Sequence, residues 1–443
     1  MIHSHFYNKE LETLDRGRLR ELQNEKLVAL LRAIGANKFY EERFRAAGIR
    51  REDVLSVEDM QALPFTRKSD LIAEQEAHPP FGRLLSFPLS EYLYFHQTSG
   101  TTGRPLIWLD TRESWDTWLR CWGYVYRGAG VTEHDVIYFA FSFGPYVSHW
   151  AAIDGARRLG ALGISGAGLK SEQRLRAILE NNCTVLVCTP TYALHLVEVA
   201  RRHGIDLRSS AVRISIHAGE PGASLPNVKR AIEEGWGAAC NDHAGATEVG
   251  AWAFPCTAAD AGGIHLNEAE FLFEVIDPLT GHAAPEGERG ELVVTSLGRA
   301  GMPVVRYRTG DLVEGTTERC PCGRTHARIL GGVLGRADDM LIVRGVNLYP
   351  SAIDNLIRSL PHVVEYEVEI RRLDGMDDLL VKIERAEGLT EDPVAALSNA
   401  FRSQFNIRVT IEEVSRGSLP RYEFKARRFK RVADLPQGSG ANK

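Results

Sequence analysis

A short loop in the first quarter of the chain has residue types that can hold an anionic group. Residues 97–105 read Gln-Thr-Ser-Gly-Thr-Thr-Gly-Arg-Pro and follow an apolar run that ends at Phe95. Small side chains let the backbone approach an anion closely, so that N–H groups and hydroxyls can face phosphate oxygens. The loop is not a Walker A motif, because no Gly-Lys-Ser/Thr follows its first glycine at the required spacing. A plain hairpin turn is the competing interpretation, and segments further along the chain help to choose between the two.

Four more segments that could carry chemistry follow this loop. Residues 241–248 read Asn-Asp-His-Ala-Gly-Ala-Thr-Glu, and residues 306–311 read Arg-Tyr-Arg-Thr-Gly-Asp. Residues 335–342 read Gly-Arg-Ala-Asp-Asp-Met-Leu-Ile, and residues 419–426 read Leu-Pro-Arg-Tyr-Glu-Phe-Lys-Ala. Each segment is a weak signal by itself. All five, in this order along one chain, form a specific pattern.

A separate set of cysteine and histidine residues predicts a metal site. Three thiols and one imidazole suit a tetrahedral zinc ion with no open position, and here they come from Cys256, His265, Cys320 and Cys322. Such a site would be structural and would join the segment near residue 263 to the turn at residue 320. The Cys-x-Cys spacing is tighter than the usual Cys-x2-Cys, so unrelated small residues and a surface histidine remain the alternative. The other cysteines lie in apolar contexts and are expected to be buried and inert: Cys121, Cys183, Cys188 and Cys240.

The composition is that of an ordinary globular protein. The chain has 443 residues, of which 44% are hydrophobic and 25% charged, and its net charge is −5. This length predicts two or more domains, and the slightly acidic balance gives no indication of a nucleic-acid or membrane partner. The first residues lack the basic and apolar regions of a signal peptide. Seven irregularly spaced cysteines suit a reducing compartment, so we expect a cytoplasmic location.

The hydrophobic pattern predicts helices that cover mostly parallel sheets. Leucines recur at steps of three and four within residues 10–60, which favours helices there. From residue 135 to residue 241, short apolar runs alternate with amphipathic stretches, as strands alternate with helices in parallel sheets. Residues 263–313 have hairpin-like spacing, with turns at 277–281 and 285–287, which predicts a smaller antiparallel region. The expected fold class is therefore α/β.

A charged, glycine-flanked junction at residues 335–339 predicts a domain boundary. Beyond it, helices are expected near residues 350–360 and 393–405, and strands at 363–371, 379–384 and 408–413. Together these elements would form a compact α+β unit of ordinary small-domain size. The predicted organisation is a large N-terminal domain of residues 1–337 and a small, mobile C-terminal α+β domain of residues 338–443.

The five ordered segments resemble the adenylate-forming superfamily of acyl-CoA synthetases, firefly luciferase and peptide-synthetase adenylation domains. Cys-Thr-Pro-Thr-Tyr-Ala-Leu at 188–194 and Cys-Pro-Cys-Gly-Arg-Thr at 320–325 resemble its phenylacetate–CoA ligase branch. The resemblance covers nearly the whole chain and implies a two-step reaction. A carboxylate and ATP give acyl-AMP and pyrophosphate, and a thiol then gives the thioester and AMP. Catalysis of the first step would be mainly positioning and charge stabilisation at the α-phosphorus.

The resemblance implies a nucleotide site built from several segments. Thr247 would bond the α-phosphate, Glu248 would help to hold Mg²⁺, and Asp311 would accept from both ribose hydroxyls. Residues 219–221 resemble the adenine-pocket segment, at the end of a predicted strand, where open parallel sheets bind ligands. The set expected to contact ATP or AMP is Ser99, Gly100, Thr101, Thr102, Gly103, Gly219, Glu220, Pro221, Asp242, His243, Asp311 and Arg336.

Lys425 is the residue expected to bridge the carboxylate and the α-phosphate, because an ammonium is a compact point charge. The competing interpretation is a solvated basic stretch over residues 421–431. Asp338 occupies the position of the family hinge, although an ordinary linker aspartate fits the local sequence equally well. Rotation there would remove the lysine and bring Arg344 and Gly345 toward the acyl-adenylate, where coenzyme A would bind.

Aromatic residues that follow the predicted strand near residue 136 indicate a pocket for a flat aryl group. The expected pocket residues are Phe141, Tyr146, His149, Gly166, Ala244 and Gly245. His149 could bond a polar ring substituent, although aromatic residues and a lone histidine at a strand end are more often core residues. Ala244 replaces the aromatic residue that usually precedes the Gly-x-Thr-Glu element. The predicted substrate is an aryl or arylacetic acid.

Several functions remain compatible with the sequence. The main prediction is an AMP-forming aryl-CoA ligase that uses ATP, Mg²⁺ and coenzyme A and holds a structural zinc ion. The acyl acceptor could instead be a carrier-protein thiol, an amine or another nucleophile. The retained motif residues oppose a non-catalytic ATP-binding relative, whereas Phe424, in place of the usual glycine, and Ala244 leave that alternative open. A nucleic-acid role rests only on the basic stretch and conflicts with the acidic whole. The resemblance also suggests a homodimer.

Overall fold

The computed structural model describes residues 5–98, 105–142, 144–258, 262–343, 346–373, 376–386, 392–422 and 426–432. Its α-helices are α1 Lys9–Glu12, α2 Arg16–Ala33, α3 Lys38–Ala46, α4 Val57–Met60, α5 Lys68–Ala77, α6 Arg112–Gly128, α7 Val147–Leu159, α8 Ser171–Glu180, α9 Pro190–Arg202, α10 Pro226–Trp236, α11 Pro350–Arg358 and α12 Pro393–Phe405. Its strands are β1 Tyr92–Gln97, β2 Ile107–Thr111, β3 Val136–Phe139, β4 Leu162–Ser165, β5 Val185–Cys188, β6 Ile214–His217, β7 Ala239–Asp242, β8 Ala244–Ala246, β9 Gly250–Phe254, β10 Gly263–Leu266, β11 Phe271–Ile276, β12 Arg289–Ser296, β13 Tyr307–Thr316, β14 Arg328–Leu330, β15 Gly335–Arg336, β16 Leu341–Val343, β17 Val346–Leu348, β18 Val363–Leu373, β19 Met376–Arg385, β20 Thr410–Val414 and β21 Phe429–Arg431. None of the helices in these ranges combines the length and hydrophobicity that a membrane span requires.

A five-stranded parallel sheet with the strand order β4-β3-β5-β6-β7 organises the N-terminal part. Strands β5 and β6 are buried along their whole length, and alternate residues of β5 pack into two different hydrophobic clusters. Such burial on both faces is what crossover helices produce, and α7 to α10 connect the successive strands. Proline begins α9 and α10, and left-handed glycines, Gly160 and Gly237, end α7 and α10. The predicted alternation of strands and helices is confirmed.

Eight strands form an antiparallel sheet in the order β11-β12-β13-β14-β10-β9-β8, with β15 paired to β13. The sheet starts at Ala244, earlier than the sequence predicts, because β8 and β9 form a hairpin. Gly245 lies in this hairpin, where an added Cβ would stand 2.8 Å from the Gly250 carbonyl oxygen. The antiparallel part is thus wider than expected, and the predicted α/β class is confirmed.

A two-stranded antiparallel ribbon of β1 and β2 precedes helix α6. Thr98 closes the ribbon at its loop end: its N–H donates to the Leu106 carbonyl and its hydroxyl accepts from the Leu106 N–H, both at 3.0 Å. Thr111 ends β2 and caps α6 by accepting from the Ser114 N–H at 3.2 Å. The ribbon therefore fixes both ends of the Ser/Thr/Gly loop.

The residues from Leu341 onward have a hydrophobic core of their own. Their strands form one sheet in the order β17-β16-β19-β18-β21, with β20 also paired to β19. Helices α11 and α12 contribute Ile353 and Phe401, both fully buried, to this core. A separate core is what a small folding unit requires.

Polar contacts join this C-terminal unit to the parallel sheet. The Arg421 guanidinium lies 3.0 Å from the Glu198 carboxylate on α9. Arg428 donates to the Thr191 hydroxyl at 3.2 Å, in the first turn of the same helix. The segment around the last of the five motifs is therefore held against the carboxyl-terminal edge of the parallel sheet.

Candidate active site

The candidate site lies at the carboxyl-terminal edge of the parallel sheet. The last residues of β5, β6 and β7 stand in register there, and they are Cys188, His217 and Asp242. Because parallel strands end at one edge, the loops that follow them converge, as expected for ligand binding in an open α/β sheet. The predicted nucleotide residues of these loops are thus brought together.

Residues 219–221, expected in the adenine pocket, form the loop after β6. Gly219 has a φ of 95°, which glycine adopts without strain. The Glu220 carboxylate accepts from the backbone N–H groups of Thr191 and Ala426, both at 2.9 Å. This carboxylate therefore links the start of α9 to the C-terminal unit.

Asp242 is the last residue of β7, and His243 follows it. Their environment favours neutral side chains. The Asp242 carboxyl accepts from the Ser224 hydroxyl, and burial raises its pKa to about 7. An added Cβ on Gly332 would stand 2.9 Å from this carboxyl, so the loop before β15 covers it closely. The His243 ring contacts Trp122 edge-on at 4.7 Å, and burial, with a smaller effect of the neighbouring histidine, lowers the His243 pKa to about 3. His243 is therefore a neutral imidazole near pH 7.

The Glu248 carboxylate is buried and faces a lysine from a distant part of the chain. Lys68 Nζ lies 2.9 Å from Glu248 Oε1, and the Tyr307 hydroxyl donates to the same oxygen at 3.3 Å. The Glu248 side chain is 3% exposed, whereas that of Lys68 is 44% exposed. Thr247, beside it, accepts from Arg299 through its carbonyl at 3.0 Å. A carboxylate in this position can exchange the ammonium for a divalent cation, since either one compensates its charge.

Asp311 and Arg336 meet across neighbouring strands β13 and β15. Arg336 Nη1 lies 3.2 Å from Asp311 Oδ1 and donates to the Thr309 carbonyl at 2.8 Å, while its Nε donates to Asp338 at 3.1 Å. Burial raises the pKa of Asp311, and the guanidinium partly opposes that shift. Gly310 has a φ of 75°, and an added Cβ would stand 2.6 Å from Arg336 Nη2. The predicted ribose ligand, its arginine and the predicted hinge are thus directly connected.

Several predicted site residues lie outside the described residues: Ser99, Gly100, Thr101, Thr102, Gly103, Arg344, Gly345 and Lys425. Described residues flank each group. Val343 pairs with Val346 between β16 and β17. The Tyr422 hydroxyl donates to the Arg427 carbonyl at 2.8 Å. The roles of the eight residues stay predictions.

Three rings gather beyond the carboxyl end of β3, where the acyl pocket is expected. Phe141 and His149 are stacked, with ring centroids 4.0 Å apart and planes inclined by 16°. Tyr146 meets the same imidazole edge-on at 5.7 Å. Gly166 follows β4, and an added Cβ would stand 2.8 Å from the Tyr138 hydroxyl. Four of the six predicted pocket residues therefore lie on the loops after β3 and β4 or at the start of α7.

The four predicted metal ligands come together between the antiparallel sheet and the turn at residue 320. One ligand atom from each of Cys256, His265, Cys320 and Cys322 lies within 4.8 Å of all the others. The sulfurs of Cys256 and Cys320 are 3.6 Å apart, and Cys322 Sγ lies 3.4 Å from His265 Nε2. His265 Nδ1 contacts the His326 carbonyl at 3.2 Å, which directs Nε2 toward the thiols. Three sulfurs and one imidazole nitrogen are a donor set that zinc prefers.

Comparison with known proteins identifies the family of this chain. The AMP-binding enzyme model matches residues 27–301, and the AMP-binding enzyme C-terminal domain model matches residues 345–434. A phenylacetate-coenzyme A ligase of Thermus thermophilus is 34% identical over 384 residues, which are 86% of this chain and 84% of that protein. The chain belongs to the AMP-binding enzyme family, in its phenylacetate–CoA ligase branch.

Solved structures are similar to this AMP-binding enzyme over nearly the whole chain. A crystal structure of 2-hydroxyisobutyryl-CoA ligase in the postadenylation state has a TM-score of 0.92 and 30% identity, covering 97% of this chain and 93% of that one. The same ligase with 2-HIB-AMP and CoA in the thioesterification state has a TM-score of 0.74 and 31% identity, covering 97% and 94%. This AMP-binding enzyme is an AMP-forming acid–CoA ligase that uses ATP and coenzyme A.

Described residues that were not selected as site residues from the sequence also contact the candidate site, among them Lys68, Arg174, Ser224, Arg299 and Tyr307. Arg174 is buried and donates to the Gly166 carbonyl at 3.0 Å, so it supports the loop after β4. Tyr307 lies inside a selected segment, and its position next to Arg306 was the available signal. The other four lie outside every motif, and nothing in their local sequence identifies the distant group that each one contacts.

The basic stretch at residues 421–431 is paired with carboxylates of the AMP-binding enzyme. Arg421 lies 2.7 Å from Glu384, and Arg428 lies 2.6 Å from Glu365. Lys430 pairs with Glu367 on the neighbouring strand. Three of the basic side chains in the described part of this stretch are therefore compensated by carboxylates of the fold.

Replacing Asp242 with asparagine is expected to stabilise this AMP-binding enzyme increasingly as the pH rises. The folded-state pKa of about 7 lies above the ordinary value for aspartate, so the wild type loses stability as the pH rises from about 4 through 7. Asparagine has the shape of the protonated carboxyl and does not ionise, so the variant keeps its stability over this pH range. Each pKa unit corresponds to about 1.4 kcal/mol, so thermal unfolding should show a variant–wild type difference that grows by several degrees between about pH 5 and pH 8.

Asp135 provides a control of opposite sign. Burial alone would raise its pKa, but bonds from Thr184 and Arg213 outweigh burial and lower it. Asp135→Asn should therefore destabilise the protein at neutral pH, and the gap should close as the pH falls below about 4. A pH-independent difference for Asp242→Asn would contradict the assigned burial of that carboxyl.

Proposed function

We propose that this acid–CoA ligase activates an aromatic acid, of the aryl or arylacetic class. The observation that carries the proposal is the stack of Phe141 on His149, with Tyr146 edge-on, beyond the carboxyl end of β3. Flat hydrophobic walls of this kind favour a flat aryl group. The name of the Thermus relative, phenylacetate-coenzyme A ligase, supports the same class.

A small hydroxylated aliphatic acid is the second candidate substrate. The 2-hydroxyisobutyryl-CoA ligase in complex with its acyl-AMP has a TM-score of 0.92 to this chain. The same rings that would hold an aryl group could close around a shorter acid. The two candidates therefore differ in the size and flatness of the acid, which a substrate panel measures directly.

For the nucleotide, we propose that Thr247 bonds the α-phosphate and that Glu248 shares Mg²⁺ with the phosphates. Without nucleotide, Lys68 compensates the buried Glu248 charge at 2.9 Å. Its exposed side chain can turn to the phosphate oxygens once a cation takes its place. Bound Mg²⁺ would neutralise charge that builds up on the phosphate oxygens during attack. Asp311, next to Arg336, would bind the ribose.

We also propose the two-lobe organisation of residues 1–337 and 338–443, with Asp338 as the hinge and Lys425 as the catalytic cation. The separate core from Leu341 onward supports this boundary. Ala426, which follows Lys425, bonds Glu220 at the carboxyl edge of the parallel sheet, so the lysine would enter the cleft from the smaller lobe. The closer similarity to the postadenylation structure than to the thioesterification structure agrees with this arrangement. Rotation would then bring Arg344 and Gly345 to coenzyme A.

We propose that the four clustered ligands hold a structural zinc ion. All four ligand atoms are within 4.8 Å of one another, and the set offers no position for substrate. The cytoplasmic location and the homodimer remain proposals as well. All seven cysteines are unpaired in the structure, which suits a reducing compartment.

The substrate proposal is tested by ATP–pyrophosphate exchange with phenylacetate, benzoate, 2-hydroxyisobutyrate and a long-chain fatty acid. The two aromatic acids should give the fastest exchange, and CoA consumption should equal AMP release. Exchange confined to 2-hydroxyisobutyrate would favour the second candidate. Exchange only with the fatty acid would contradict both, and AMP release without CoA consumption would indicate another acceptor.

Lys425→Ala is expected to slow adenylation roughly hundredfold or more, because it removes a charge that stabilises the transition state. Thioester formation from supplied acyl-adenylate should be nearly unchanged, since the lysine leaves the cleft before that step. Lys430→Ala is the matched control, because Lys430 pairs with Glu367 on β18. Normal pyrophosphate exchange by Lys425→Ala would rule out the proposed catalytic role.

The purified protein should contain about one zinc ion per chain, measured by inductively coupled plasma mass spectrometry. Cys320→Ser and Cys322→Ser should lose the metal and melt several degrees lower, because a structural metal contributes to folding stability. Cys183→Ser, which changes a buried cysteine outside the cluster, should keep it. Metal-free protein that matches the loaded protein in melting temperature would refute a structural role.

A further inference from the structure

We propose that Arg299 is a positioning residue for adenylation. Its guanidinium holds the phosphate-loop ribbon, which comprises β1 and β2, in a fixed position relative to Thr247 and Glu248. The inference rests on the proposed roles of that loop and of Thr247. Arg299 lies in the turn between β12 and β13, outside all five segments selected from the sequence.

Arg299 uses its donors on two different elements. Nε and Nη2 donate to Asp110 Oδ1 at 3.0 and 2.8 Å, and Nη2 also donates to Oδ2 at 2.9 Å. Nη1 donates to the Thr247 carbonyl at 3.0 Å. Asp110 belongs to β2, the strand that leaves the loop. One side chain therefore connects the strand beside the phosphate loop with the residue expected at the α-phosphate.

The surroundings keep this connection dry and rigid. Both charged side chains are 1% exposed. The guanidinium carbon lies 5.0 Å from the Trp118 ring and 5.9 Å from the Trp108 ring. His96, on β1, stands 3.9 Å from Asp110, and burial, with a smaller effect of Arg299, lowers its pKa to about 3. No second cation thus competes for the carboxylate among the described residues.

A gain in folding stability alone does not explain why Asp110 and Arg299 form a buried ion pair here. Buried ion pairs are often no more stabilising than hydrophobic residues of the same volume, whereas they specify one geometry. In-line attack at the α-phosphorus depends on the relative position of the phosphate-binding groups to a fraction of an ångström. A planar guanidinium can bind a carboxylate in two places and a carbonyl at once, which an ammonium cannot do. The expected consequence of disturbing it is a loss in the step that uses both elements.

The test measures the two half-reactions separately in Arg299→Lys and Asp110→Asn. Adenylation is followed by ATP–pyrophosphate exchange with the best acid of the wild type, and thioester formation by CoA consumption with chemically prepared acyl-adenylate. Each variant should lose at least tenfold more in exchange than in thioester formation, with most of the loss in kcat rather than in the KM for ATP. The β- and γ-phosphates are absent from the second half-reaction, so it depends less on the ribbon.

Arg213→Lys is the matched control, because it disturbs a bidentate pair with Asp135 at the opposite edge of the parallel sheet. It should change the melting temperature but not the ratio of the two rates. Equal losses in both half-reactions of the Arg299 and Asp110 variants would overturn the proposal. Failure of both variants to fold would overturn it too, because the pair would then serve stability. Absence of exchange in the wild type would instead refute the proposed function.

Discussion

Charges that meet in the interior, and that are costly to bury apart, determine how the site is assembled. Asp110 and Arg299 are both 1% exposed and lie 2.8 Å apart, although 189 residues separate them. The Glu248 carboxylate, which is 3% exposed, likewise faces Lys68 at the start of α5, although that lysine is 44% exposed. An isolated buried charge costs several kcal/mol, on the order of the net stability of a domain. Each pair therefore forms only when two remote segments take their native relative position. A fold that separates the two segments would leave a buried charge without a partner and would be less stable.

The contact between the C-terminal unit and the parallel sheet differs from these buried pairs within the N-terminal part. It includes the ion pair of Arg421 with Glu198, whose side chains are 20% and 23% exposed, the buried bond from Arg428 to the Thr191 hydroxyl, and the bond from the Ala426 N–H to Glu220. Polar interfaces between folding units resemble transient protein–protein contacts, which are more polar than permanent ones. Deeply buried pairs occur within each lobe, for example Arg428 with Glu365 in the smaller one. Two separately packed units joined by polar bonds are what the proposed rotation between two reaction steps would need.

The parts of this structure that follow from short-range sequence were predictable, and the rest depended on distant partners. Alternating apolar runs identified the parallel sheet because its central strands, β5 and β6, are short and buried along their whole length. The proximity of the four Cys and His side chains was predictable from residue type, since few roles suit three thiols and an imidazole. The hairpin of β8 and β9 was missed because Ala244–Ala246 has only alanine and glycine, which carry no alternation. Lys68 and Arg299 were missed because their partners are remote in sequence.

Residues that follow the Cys/His cluster contact the first helix of the chain. Arg324, two residues after Cys322, pairs with Glu12, and both side chains are fully buried although 312 residues separate them. The adjacent Thr325 N–H donates to the Glu12 carbonyl at 3.0 Å. The entropy cost of closing a loop grows only slowly with its length. A few hydrogen-bond donors in fixed positions can therefore offset the cost of bringing these two segments together. Those donors are fixed only if the turn that bears them is rigid, and a four-coordinate metal would supply that rigidity. The order of the first helix would then depend on a cluster that lies far along the sequence.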